Sequence, residues 1–244
     1  MPGNAVVDVS VWYRVTEALS MHDIKEATLT LSTEEKERRD RFRFDNDRRD
    51  YTVAHDLLRR ALSGYASECE PHKWQFESDA MGKPQLSRES KSGYGIEFNL
   101  SHTRGFVACA VSTVRVGIDV ERIKPEMEFQ DVAERCFSPS EIAALKELDA
   151  SRRCGRFFEL WTLKEAWLKA TGCGLSGALD SFSFEWDGPA PRRFVPPPGV
   201  LAETWKFGLL APTPEIRMTL TAECNGALRL ALNGRDSSDH VSFF

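Results

Sequence analysis

The chain has 244 residues, a formal net charge of -5 and a pI near 5.7, enough for one large domain or two small ones. Its 41% hydrophobic and 28% charged residues are ordinary for a globular protein and exclude global disorder. The acidic balance argues against a dedicated nucleic-acid-binding protein.

No apolar run exceeds Phe106 to Val111, far below the roughly 20 residues of a membrane span. The opening MPGNAVVDVSVWYRV lacks the basic-then-apolar layout of a secretory signal. Six cysteines without a CxxC pair speak against zinc ligation and a disulfide framework, so the expectation is a reduced, cytoplasmic chain.

In chain order, residues 5–15 are β-branched, aromatic and partly alternating, which predicts a strand. Ser32 with Glu35 is a capping box that starts a charged helix running to about Phe42. Tyr51, Ala54, Leu58 and Leu62 keep helical spacing over residues 47–62, with Gly64 as the stop. Strands are predicted at 73–77, 94–99 and 106–111, and VRVGIDVER carries the next. Ser138, Pro139 and Glu141 mark a second helix start, reaching about Leu148. The strongest helix spans roughly 153–171, stopped by Gly172, with Phe157, Leu160, Trp161 and Leu168 on its apolar face. Strands follow at 181–186, 204–210, 217–223 and 227–232. The five prolines between Pro189 and Pro198 predict a surface loop. The pattern suggests two similar α+β halves joined near residues 112–116: 1–114, then 115–233, then a polar tail at 234–244.

Five segments could carry chemistry. In GIDVE, alternation puts Asp119 and Glu121 on one side of a strand and Ile118 and Val120 on the other. A solvated face is the plain explanation. The repulsion between two like charges is the reason to consider a bound cation instead, and oxygen-only ligands suit Mg²⁺. In WTLKEAWLK, Glu165 and Lys169 form an i,i+4 pair, by itself a surface contact of about 0.3–0.5 kcal/mol. Placed beside the strand, Glu165 would complete a three-carboxylate site and Lys169 could reach a phosphate. Asn99, Ser101 and His102 offer an amide, a hydroxyl and an imidazole in what reads as one loop before a buried strand, suited to phosphate or ribose. Gly82-Lys83-Pro84 presents a single cation in a turn. The run from Lys36 to Arg49 holds seven basic and four acidic residues. It reads as a helix with internal ion pairs and leaves open a local anion site built from its arginines.

Taken together, RFRFDNDRRDY, GKPQL, FNLSHT, VGIDVE, FSPSE and LWTLKEAWLKATGCGL resemble the 4′-phosphopantetheinyl transferase family, in its larger, single-chain, surfactin-synthetase-type branch. The resemblance implies an α+β fold of two similar α/β subdomains related by a pseudo-twofold, with the active-site cleft between them. It implies transfer of the phosphopantetheine arm of coenzyme A to a serine of an apo carrier protein, releasing adenosine 3′,5′-bisphosphate. By the same resemblance Asp119, Glu121 and Glu165 match Mg²⁺ ligands, with Asp119 also near coenzyme A. Lys83 with Pro84, Ser101 with His102, and neighbouring Asn99 match coenzyme A contacts. Lys169 matches the lysine beside the pyrophosphate. Arg38 falls where some members reach the 3′-phosphate, and Arg48 is a second candidate. Glu141 and Glu165 are alternative general bases, acting directly or through a metal-bound water, and the sequence does not choose. A monomer is expected, with neither nucleic acid nor membrane as partner. Two other readings stand beside this one: a different Mg²⁺-dependent pyrophosphate- or nucleotide-hydrolysing enzyme, and a non-catalytic module that binds a carrier protein.

Overall fold

The computed structural model describes residues 6–78, 84–88, 90, 94–173, 179–188, 190–234 and 242–244. The chain forms two compact units. One comprises Val6–Val116 with Leu228–Ser237, and the other comprises Gly117–Ala227 and is joined by the last residues.

The first unit contains β1 (Val7–Val15), α1 (Met21–Thr30), α2 (Thr33–Asp40), α3 (Asp45–Tyr65), a hairpin of β2 (Phe76–Ser78) and β3 (Pro84–Leu86), β4 (Glu97–Thr103), β5 (Phe106–Ser112) and β11 (Leu228–Asn233). Its main sheet has the order β11-β1-β5-β4. The β1/β5 and β5/β4 pairs are antiparallel and β11/β1 is parallel. Every residue of β5 is buried, as its continuous apolar run requires. α3 packs Leu57, Leu58, Ala61 and Leu62 into a cluster with Val107, Cys109 and Val111, each buried leucine contributing about 1.5–3 kcal/mol. The helix predicted from Ser32 is α2, and its capping box forms as expected. α1 carries too little apolar periodicity to be predicted. It is set by a Ser20–Asp23 capping box and by packing against α3.

The second unit contains β6 (Val116–Arg122), α4 (Gln130–Cys136), α5 (Pro139–Glu147), α6 (Ala150–Thr171), a hairpin of β7 (Ser183–Asp187) and β8 (Ala190–Val195), β9 (Trp205–Leu210), β10 (Ile216–Glu223) and β12 (Ser242–Phe243). Its sheet order is β12-β9-β10-β6. α6 packs on β10. Phe157, Leu160, Leu163, Trp167, Phe184 and Phe207 lie in one aromatic-rich core. Each unit therefore sets one long helix against a four-stranded sheet, in keeping with the α+β class read from the sequence.

Three boundaries differ from expectation. Residues 228–233, placed by the sequence in the second half, hydrogen-bond along β1 in the first unit, because β1 has an edge left unfilled by β5. The tail from 234 is not simply polar: Ser242–Phe243 pairs with β9, and the Phe244 ring stacks 5.6 Å from Phe207. The proline tract is not all loop, since β8 runs to Val195. Pro191 is tolerated there because a two-stranded ladder with a bulge at Glu185/Trp186 asks little of its missing N–H.

Candidate active site

Gly117 opens the site. A Cβ there would lie 2.0 Å from the Ala166 carbonyl oxygen and 2.8 Å from the Ala170 nitrogen. Only a hydrogen atom fits, so β6 runs directly against the backbone of α6. That contact brings the GIDVE strand beside the KEAWLK helix.

Asp119 is 4% exposed. Its Oδ1 accepts a hydrogen bond from Lys169 Nζ at 2.5 Å, and the same ammonium lies 3.3 Å from the Ile118 carbonyl. Glu121 stands two residues on, on the same side of β6. Burial pushes its carboxyl up to about 7, helped by the Asp119 charge and, more weakly, by Glu165. Glu165 is also raised, by burial first and then by Asp119, with Lys169 opposing. Its Oε1 is buried and makes no hydrogen bond, a costly arrangement for a carboxylate. The three acids thus act on one another electrostatically.

The donor set fits a hard divalent cation. It is oxygen-only, it is mutually repulsive, and one buried Glu165 oxygen lacks a partner. The spacing is a separate matter. Among the described residues no three His, Cys, Asp or Glu side chains are gathered tightly enough to ligate one ion as they stand. Lys169 instead brings its ammonium to Asp119, supplying positive charge there.

Glu141 is placed differently from a base open to substrate. It is 1% exposed. Oε1 accepts the Phe184 N–H at 3.0 Å, and Oε2 accepts the Ser138 N–H and hydroxyl, each at 2.9 Å. Oε2 also lies 2.9 Å from Lys164 Nζ. Both oxygens are engaged in this way and the side chain is closed off from solvent, an arrangement that suits a structural tie more than a base open to substrate. Lys164 is the residue that sequence reasoning missed. Its signal was present: positions 157, 160, 164 and 168 keep the apolar stripe of α6, so a lysine there had to be buried and paired.

In the first unit the strand predicted to end at 99 runs on through Thr103, so the stretch read as a loop from Asn99 is part of β4, because it pairs in register with β5. Alternation therefore separates its residues. Asn99 and Ser101 are buried, 2% and 6% exposed, whereas His102 is exposed. His102 lines a 470 Å³ cavity with Phe44, Asp47 and Arg104.

Arg38 of α2 lies over the Tyr51 ring, 6.0 Å from its centroid, and lines a 790 Å³ cavity with Glu35, His55, Arg59 and Pro84. Arg48 is occupied elsewhere, donating to the Phe42 carbonyl and to Asp45, both at 2.5 Å. Lys83 lies outside the described residues.

A further cluster escaped the sequence reading. Glu35, 8% exposed, accepts Arg59 at 2.9 Å and pairs with His55 at 2.8 Å. The i,i+4 spacing of His55 and Arg59 was its only trace.

A family model described as the 4′-phosphopantetheinyl transferase superfamily matches residues 115–231. A second, described as 4′-phosphopantetheinyl transferase, N-terminal, matches residues 18–114. The 4′-phosphopantetheinyl transferase HetI of Nostoc sp. is 37% identical over 171 residues, covering 69% of this chain and 70% of its own. The 4′-phosphopantetheinyl transferase psf-1 of Bacillus pumilus is 39% identical over 166 residues, covering 67% of this chain and 68% of its own. The 4′-phosphopantetheinyl transferase Sfp of Bacillus subtilis is 32% identical over 153 residues, covering 63% and 65%.

Proposed function

The chain belongs to the 4′-phosphopantetheinyl transferase superfamily, and from that membership we propose how its residues do the work. It transfers the 4′-phosphopantetheine group of coenzyme A to a carrier protein. In our reading the acceptor is a serine hydroxyl. Its oxygen bonds to the β-phosphorus of coenzyme A as the bond from that phosphorus to the bridging oxygen breaks, and adenosine 3′,5′-bisphosphate leaves.

Asp119, Glu121 and Glu165 would hold the divalent ion. When bound, Mg²⁺ supplies charge neutralisation to the pyrophosphate and a template for in-line attack. The observation that carries this reading is the buried Glu165 Oε1, unmatched by any donor, next to the mutually repelling Asp119 and Glu121. Lys169 is then set to turn from Asp119 towards the leaving phosphate, where a cation stabilises developing charge. The serine proton goes to a carboxylate of the acidic cluster. Arg38 and His102, each lining a cavity, serve the phosphates of coenzyme A, with Ser101, Lys83 and Pro84 as further contacts. No helix among the described residues is long and apolar enough to cross a membrane, and none of the six cysteines is in a disulfide. We expect a monomer working in the cytoplasm.

The test is a carrier modification assay with coenzyme A, Mg²⁺ and a panel of apo carrier proteins. The expected product is heavier by about 340 Da, the mass of the transferred group. Glu165→Ala is expected to abolish it. No mass gain on any carrier would overturn the proposal. Release of bisphosphate without an acceptor would identify a hydrolase instead, and coenzyme A binding indifferent to Mg²⁺ without transfer would identify a binding module.

A further inference from the structure

Lys164 and Glu141 form an ion pair whose side chains are 0% and 1% exposed. The pair is saturated. Besides Glu141, Lys164 Nζ donates to the Leu179 and Phe182 carbonyls at 2.7 and 2.6 Å. Glu141 in turn takes Ser138 and Phe184. One buried contact therefore ties together the start of α5, the middle of α6, the turn at 179–182 and β7. Apolar residues of the same volume often give equal or greater stability than such a pair, so stability alone gives no reason for it.

Its place in the chain does. Lys164 immediately precedes Glu165. On another side of α6, Gly117 lets β6 touch Ala166 and Ala170. The helix is thus gripped twice within one turn of Glu165. At an outer radius of about 6 Å, a 10° roll of a helix moves a side-chain tip by roughly 1 Å. Mg²⁺ demands near-ideal octahedral geometry, so a displacement of that size matters.

We infer that the Lys164–Glu141 pair is a positioning device that fixes the roll of α6 and so aims Glu165 at the divalent ion. The inference rests on the metal role assigned to Glu165 above. Lys164 and Glu141 are positioning residues, since neither reaches the reacting atoms.

The experiment titrates Mn²⁺ against the full chain with coenzyme A present, reading free Mn²⁺ by electron paramagnetic resonance. Melting temperature and the Mg²⁺ dependence of carrier modification are measured alongside. The variants are Glu141→Gln and the double variant Glu141→Gln/Lys164→Met, which removes both charges at similar volume and remains readable if the single variant does not fold. The double variant is expected to fold with a lower melting temperature, since Lys164→Met removes the donor to the Leu179 and Phe182 carbonyls, and to bind Mn²⁺ about 10- to 100-fold more weakly, with kcat largely recovered at saturating Mg²⁺. Wild-type Mn²⁺ affinity in the double variant would overturn the inference. So would a Glu141→Gln protein that binds Mn²⁺ normally but has lost kcat at every Mg²⁺ concentration, because Glu141 would then act in the chemistry itself. Failure of the underlying metal reading looks different: the wild type would bind no Mn²⁺ and transfer without Mg²⁺, and the inference would fall with it.

Discussion

Gly117→Ala separates two opposite effects. A Cβ at this position would lie 2.0 Å from the Ala166 oxygen, whereas ordinary contact begins near 3.4 Å. Strand or helix must therefore give by about 1.4 Å. The neighbouring atoms are backbone, so no side chain can swing aside. The upper end of the overpacking range applies, about 3 kcal/mol. In a chain of this length that is a fall in Tm of about 6–12 °C. Were there no clash, removing a glycine would instead raise stability by about 0.4–1 kcal/mol through the unfolded chain. The sign of the change therefore decides. Asp119 follows two residues later, and a misplacement near 1 Å is expected to lower kcat/KM for carrier modification by about 10²-fold. Gly155→Ala is the control: it lies within α6, and its Cβ would meet only an Arg217 nitrogen at 3.8 Å. It should gain about 0.5–1 kcal/mol. Calorimetry on both variants, with the carrier assay, tests the reasoning. A Gly117→Ala protein as stable and active as the wild type would refute it.

Glu35 gives a pH prediction. Burial alone would raise its carboxyl, but His55, Arg59 and the Ser32 N–H outweigh that and hold it at about 2, below the ordinary 4.5. The folded value is the lower one, so the stabilisation, about 3 kcal/mol, is present above pH 4.5 and is lost as pH falls towards 2. Glu35→Gln should be less stable than wild type by about 3 kcal/mol at pH 7, because it strands the buried Arg59. The gap should narrow in urea titrations at pH 3, and a gap independent of pH would contradict the assignment. Thiol labelling of the native protein followed by mass spectrometry should modify exposed Cys173 and spare Cys109. Complete burial pushes the Cys109 thiol far up, and an early adduct there would show β5 opening.

The parts of the fold that were legible are those with local causes. Ser32–Glu35 and Ser138–Glu141 both form the capping boxes their spacing announces. Gly172 ends α6 in the left-handed conformation. The acidic pair of β6 was readable because strand alternation is rigid. What escaped depended on distant partners. Asn99 to Thr103 is polar enough to pass for a loop, and only its register with β5 extends the strand and turns Ser101 and His102 apart. The FSPSE glutamate was readable as the acid of a helix start, but its burial against Lys164 was not. That partner lies 23 positions away, beyond what helical or strand spacing can see.

The parallel seam of β1 with β11 joins Val7 to Leu228. The strand that closes one side of the first sheet is therefore synthesised only after nearly all of the second unit. On the ribosome that edge stays exposed while Gly117–Ala227 is made, an interval of several seconds at about 5–20 residues per second. An unpaired edge is a site for mispairing with another chain. The second unit is in effect a long excursion from the first, and cutting the gene at the apparent junction would yield two fragments, one of which carries the missing strand of the other.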